Sequence, residues 1–370
     1  MDKCERPQSY IGYLDSLKGI GILAITMIHT GAAGLPGLIG LIGIAGERGV
    51  QLFFIISAIL NFYSSERFFG SPHNVRIGNC LQWYVKKLKR LLPMYYIALL
   101  SSMVAGTYST YWLGNEKSVS LPNVLAHVLL LHGFVPHYTN SMLGVDWYLG
   151  VLFIFLLSTP LLYKIVTSLE RSVILLLVLY LSIPLINNKL LYLLVPVEND
   201  PIIYNAYIMN FGPLSQLMVY LMGIVVFFVV KHIKAVGDKA IRFILSIVLL
   251  LFSIAMILGQ VTGKNTLFNV SVGDMYGIWF SIIIVSQSIY SNKLVDQAFF
   301  RLLGKYSYGM YLFQFVWINS YEKFFSHEGV KKWLIEYLVS LAALLVISIS
   351  LEKLISRIEN ILLYTIRKEI

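Results

Sequence analysis

Charge is what this sequence has least of. Asp, Glu, Lys and Arg make up 13% of its 370 residues, hydrophobic residues make up 57%, and the mean hydropathy is +0.73. An ordinary soluble domain carries about 25% charged residues, so a water-facing globular surface is excluded. The chain reads instead as an integral membrane protein with many spans. Cysteine is nearly missing too. Cys4 and Cys80 are the only two, and the topology derived below puts both in the reducing cytoplasm, so neither a disulfide nor a cysteine-held metal is expected. No polar stretch is long enough for a separate soluble domain, and residues 1–370 are expected to form one membrane-embedded domain. Residues 1–17 lack a basic segment leading into a small-residue cleavage site, so the first span itself is expected to act as the targeting signal.

What the chain does have is apolar runs close to the roughly 20 residues needed to cross a hydrocarbon core. They lie at about 17–35, 49–64, 91–109, 145–165, 172–188, 213–231, 240–259, 274–290, 306–321 and 333–354. The expected fold is all-α, a bundle of about ten transmembrane helices. One further run, 122–134, has only 13 residues and includes His127 and His132. That suits a re-entrant or interfacial segment.

Loop charge tests this choice. With ten spans, 22 of the 29 basic residues share the side of the N-terminus; if 122–134 crossed, the split would be 14 against 15. Basic residues concentrate on the cytoplasmic side, so ten spans with both termini cytoplasmic are preferred. The net charge of +10 then anchors that face to anionic lipid and calls for no nucleic acid. On this topology the polar segments 187–210 and 260–273 become far-side loops, and the tail from Leu354 reads as a short basic amphipathic helix.

Within the first span, Lys18 and His29 stand eleven residues apart. That is about three helical turns, which puts them on nearly one face with roughly 16 Å of rise between them. An imidazole deep in an apolar span is costly and is a functional candidate by default. The alternative is a core histidine bonded to a neighbouring helix, with Lys18 marking the membrane boundary. Lys86, Lys87, Lys89 and Arg90 precede Leu91-Leu92-Pro93. Four cations at one membrane mouth serve as lipid anchors or suit a polyphosphate. Glu47-Arg48-Gly49-Val50-Gln51-Leu52-Phe53-Phe54 opens the second span, where the two charges either pair locally or bond sugar hydroxyls. His127, His132 and His137 recur every five residues, which scatters them around a helix and leaves a metal site without its ligands.

Five stretches in chain order resemble motifs of acyltransferase family 3. Leu14 to His29 resembles the opening motif, in which a basic residue, here Lys18 where Arg is usual, precedes a His by this spacing. Glu47 to Ala58 resembles the second, with Gln51 for Asp and Ala58 for Gly. Lys87-x-x-Arg90-Leu-Leu-Pro93 is similar to the basic motif. Asp146-Trp147-Tyr148-Leu149 resembles a Trp-Ser-Leu motif whose later acidic residue is missing, with Leu152 and Phe153 there instead. Leu303 to Gln314 resembles the late Ser-Tyr-x-x-Tyr-Leu stretch, with Gln314 for a common His.

The resemblance implies transfer of an acyl group, often acetyl, from cytoplasmic acyl-CoA to a hydroxyl of a sugar in a surface polysaccharide or glycolipid, in a bacterial inner membrane. The implied partners are acyl-CoA as co-substrate, a carbohydrate or lipid-linked glycan acceptor, and membrane lipid. No bound cofactor or metal is implied. His29 would be the general base and Lys18 would bind or steer the donor. Lys87 and Arg90 would hold its phosphates, while Glu47, Arg48 and Trp147 would contact the acceptor. No Ser or Cys sits in a recognisable nucleophile elbow, which favours direct transfer and leaves covalent transfer through His29 open. Two rivals share the many spans. A polysaccharide-precursor transporter or flippase should show repeated halves and broken helix pairs, which do not stand out. A polymerase or ligase should want a basic exoplasmic loop.

Overall fold

The computed structural model describes residues 11–108, 112, 119–194, 200–233, 238–263, 271–321 and 329–369. It is all-helical, with no strand among these residues. In chain order the helices are α1 (Gly12–His29), α2 (Gly37–Ala45), α3 (Gly49–Phe69), α4 (Ile77–Ala105), α5 (Leu121–Val128), α6 (Trp147–Ile165) and α7 (Leu169–Leu194). After them come α8 (Pro201–Ala206), α9 (Pro213–His232), α10 (Lys239–Val261), α11 (Val272–Ile289), α12 (Ala298–Leu312), α13 (Gln314–Tyr321) and α14 (Val330–Glu369).

The tightest helix pair is α1 on α12. A β-carbon built on Gly304 would lie 1.7 Å from the Asp15 carbonyl oxygen, and one on Gly19 would lie 2.0 Å from that of Phe300. Only hydrogen at both positions lets the two backbones come this close, as small residues do at membrane helix crossings. At the Lys18 end of the pair, Ser16 donates to Asp296 at 3.0 Å, and Arg301 donates to the same carboxylate at 2.6 Å. The Arg301 guanidinium holds the Asp296 carboxyl below the usual carboxylate range, helped by the hydroxyls of Ser291 and Ser16. The bundle interior is aromatic. Phe54 meets Tyr148 at 4.7 Å between ring centroids, Phe155 meets Tyr220 at 4.5 Å, and Tyr148 meets Tyr311 at 5.4 Å. Trp147 and Tyr148 are both buried, so they belong to this core and not to a membrane-interface belt.

Seven segments are long and apolar enough to cross a membrane: Gly37–Phe69, Trp147–Ile165, Leu169–Leu193, Pro201–His232, Lys239–Val261, Val272–Ile289 and Val330–Ile361. Ten were expected. The three that fall short are those loaded with polar groups. α1 carries Asp15, Lys18 and His29, and α4 has only 15 residues beyond Arg90. The run 306–321 is broken at Phe313 into α12 and α13.

Three expectations about segments change. Residues 187–194 continue α7, and α8 with a π-turn at Tyr207–Phe211 follows from Pro201, so the polar stretch 187–210 is mostly helix. Asn187 is buried there, and asparagine does not end a helix whose backbone stays bonded. The tail from Leu354 is no separate helix but the end of the 40-residue α14, because no Gly or Pro interrupts it. The run 122–134 forms the 8-residue α5 and a 3₁₀ turn at His132–Phe134. At about 1.5 Å per residue α5 is roughly 12 Å long, too short to cross. Cys4 and residues 264–270 of the loop 260–273 lie outside the described residues.

Candidate active site

His29 ends α1, and its imidazole is locked by a chain of hydrogen bonds with one polarity. Thr26 donates its hydroxyl to the Ile22 carbonyl at 2.8 Å and accepts from Gln314 Nε2 at 3.1 Å. That fixes the Gln314 amide, leaving its Oε1 to accept from His29 Nδ1. In the neutral imidazole the proton therefore sits on Nδ1, and Nε2 keeps its lone pair. Gln314 reaches His29 because the helix breaks at Phe313, one residue before it. The next residue, Phe315, lies 4.7 Å from the imidazole, ring centroid to centroid. Its ring is seated against Gly144, where a β-carbon would come within 2.9 Å and φ is +73°.

The turn Gly46–Arg48 lies beside the same end of α1. A β-carbon on Gly46 would stand 2.2 Å from the Ala24 carbonyl oxygen. Glu47 and Arg48 therefore sit near the turn that carries His29, paired with each other; Glu47 is exposed and Arg48 half-buried. Trp147 is buried. It packs inside against Phe54 and Phe211, at 6.1 and 5.1 Å between centroids.

At the other end of α1, Lys18 pairs with Asp15 at 2.6 Å. Lys87 turns inward: its ammonium lies 5.1 Å over the Trp83 ring and donates to Asn61 Oδ1 at 2.9 Å. Asn61 donates on to the Tyr220 hydroxyl at 3.2 Å, which meets Thr159 at 2.8 Å. Arg90 stays exposed. The structure thus places Lys18, Lys87 and Arg90 at one end of the bundle and His29, Glu47 and Arg48 at the other.

A second polar cluster was not legible from spacing. His127 Nε2 meets Asp146 Oδ2 at 2.8 Å, and its Nδ1 meets the Asn123 carbonyl at 2.9 Å. Its two nitrogens face a backbone carbonyl on one side and a carboxylate on the other. The backbone N–H groups of Met142 and Leu143 donate to the same Oδ2 at 3.2 Å. His132 stacks on His127 at 4.3 Å and faces the Asp146 carbonyl oxygen at 3.2 Å. The expectation that these histidines scatter is corrected. Leu129 ends α5, so His132 belongs to a separate turn that folds back, and only His137 stands apart, near Asp200. Among the described residues no three His, Cys, Asp or Glu side chains group as metal ligands. The signal that could have exposed the pair is Asp146 itself, a carboxylate just before an apolar span that also needs a partner.

Against this geometry, the family model described as an acyltransferase domain, that of acyltransferase family 3, matches residues 11–353. The chain belongs to acyltransferase family 3. The match runs from the start of α1 into α14, so it takes in both ends of the bundle. No curated protein and no solved structure matches this acyltransferase.

Proposed function

We propose that this membrane acyltransferase transfers an acyl group, acetyl as the first candidate, from acyl-CoA held at the Lys18, Lys87 and Arg90 end. The acceptor is a hydroxyl of a sugar in a surface polysaccharide or glycolipid, offered at the His29 end. One observation carries this reading: the directional chain Thr26, Gln314, His29 leaves Nε2 of the half-buried His29 without a hydrogen-bond partner among the described residues. Such an imidazole suits general-base work. It takes the proton of the acceptor hydroxyl as the oxygen attacks the thioester carbonyl. The tetrahedral intermediate collapses with cleavage of the C–S bond, and the imidazolium returns the proton to the departing CoA sulfur. Glu47 and Arg48, at the His29 end, supply hydrogen-bonding groups of both signs for a polyhydroxyl acceptor.

The basic end lies on the cytoplasmic face, where acyl-CoA is made, with both termini on that side. α1, α4 and the α12–α13 pair then add three crossings to the seven apolar ones. The membrane is the inner membrane of a bacterium. Purified protein in detergent should consume acetyl-CoA and release free CoA when supplied with a surface-glycan fragment. The transporter reading predicts movement of an unmodified glycan across vesicles with acetyl-CoA untouched, and that result would displace this proposal.

A further inference from the structure

The basic end holds one acidic side chain that none of these roles absorbs. Glu352 lies on α14, half-buried, and among the described residues it closes no ion pair. Three contacts fix what surrounds it. Gly304 of α12 rests on the backbone of Asp15 and approaches Gly19, the turn of α1 that carries Lys18, and Lys305 is the next residue along α12. Tyr308, one turn further along α12, donates to the Leu91 carbonyl at 3.0 Å, which brings the Arg90 turn of α4 alongside. Ser348 of α14 packs on Gly309, its Oγ 2.8 Å from where a β-carbon would stand, with the Met94 methyl 3.3 Å from the same point. α14 returns toward the basic end, so one turn past Ser348 places Glu352 level with Lys305. The helix turns that carry Lys305, Arg90 and Lys18 therefore pack around this level of α14.

We propose that Glu352 is an internal counter-anion for Lys18, Arg90 and Lys305, which the phosphates of the donor must displace. Glu352 thereby weakens the hold on acyl-CoA and on free CoA alike. This rests on the donor-site reading above. Its physical basis is plain: with Asp15 already paired to Lys18, three cations and two carboxylates leave net positive charge for an incoming polyanion, and every negative charge already among them reduces the attraction. Free CoA carries the same phosphates as the donor, so one residue sets both capture and release.

The test titrates CoA, and separately inorganic pyrophosphate, onto full-length protein in detergent, as wild type, Glu352→Gln and the charge-keeping Glu352→Asp. Glu352→Gln should tighten both ligands by about three- to tenfold, less at high salt, with Glu352→Asp close to wild type. In turnover the KM for acetyl-CoA and the inhibition constant of free CoA should fall by the same factor, a parallel shift that a merely structural glutamate would not produce. Unchanged or weaker binding in Glu352→Gln overturns the proposal, as does absence of pyrophosphate binding in both forms. Lys305→Gln, expected to weaken both ligands, keeps the test decisive should Glu352→Gln fold poorly. Failure of the donor reading looks different: pyrophosphate binds and tightens in Glu352→Gln, but CoA does not bind.

Discussion

At the scale of single residues, His29 carries the chemistry of the proposal and Gln314 its orientation. A general base contributes about 10²- to 10⁴-fold, so His29→Ala should lower kcat by that much with donor binding retained. His29→Gln separates catalysis from packing, because it keeps hydrogen-bonding capacity but cannot take the proton; a well-expressed variant with most of its activity would remove His29 from the mechanism. Gln314→Ala frees the imidazole to turn and to exchange tautomers. It should cost about 10- to 100-fold in kcat, the scale of losing an orienting partner, with little change in KM. Lys87→Ala with Arg90→Ala should act the other way, raising the KM for acetyl-CoA about 10- to 100-fold and leaving kcat largely intact. Steady-state kinetics at low and high salt checks that split. The sequence exposed His29 and the basic run because each violates its apolar setting. It could not expose Gln314 as the partner, since 285 positions separate the two residues and only the α1–α12 approach brings them together.

At the scale of elements, that approach depends on hydrogen at Gly304 and Gly19. Gly304→Ala should push α12 off α1 and cost about 1–3 kcal/mol or more. It should lower the thermal midpoint in detergent and disturb His29 through Gln314. Gly78→Ala, on the open face of α4 with nothing within 4 Å, should leave the midpoint unchanged or slightly higher. Equal effects of the two would show that the close crossing is not the constraint. The same close approaches explain which elements could be read from sequence. Long apolar runs such as α9 and α10 announce themselves by length. The segment 129–146 does not, because its fold is set by contacts across the bundle. A β-carbon on Gly133 would meet the backbone of Gly150 at 2.5 Å, the Tyr207 hydroxyl donates to the Gly133 carbonyl at 2.8 Å, and Tyr95 and Tyr96 bond the end of α5. Tyr95 and Tyr96 lie only five and six residues past Arg90 on α4, so α5 folds back toward the basic end.

At the scale of the whole molecule, the all-helical membrane fold and the family were legible in composition and in five ordered motifs. Length and composition of the helices mark seven of the ten expected crossings, because the helices that carry the polar site residues are those whose composition departs most from lipid. Reporter fusions after Lys89 and after Ile370 should both report the cytoplasmic side, following the excess of basic residues. A C-terminal fusion active only on the far side would reverse the placement of the donor end.

The two ends of the site are joined by one uninterrupted rod. Because α1 holds Lys18 and His29 on a single helix, roughly 16 Å of rise separates the backbone positions of the anchoring charge and the base. The helix therefore works as a ruler for the donor. A long, flexible thioester whose phosphates sit at one mark can lay its acyl carbon at the other. Acetyl phosphate, with its charge and its carbonyl only a few bonds apart, can occupy either mark but not both. On the proposed donor site, selection among acyl donors would follow from reach and not from their intrinsic reactivity.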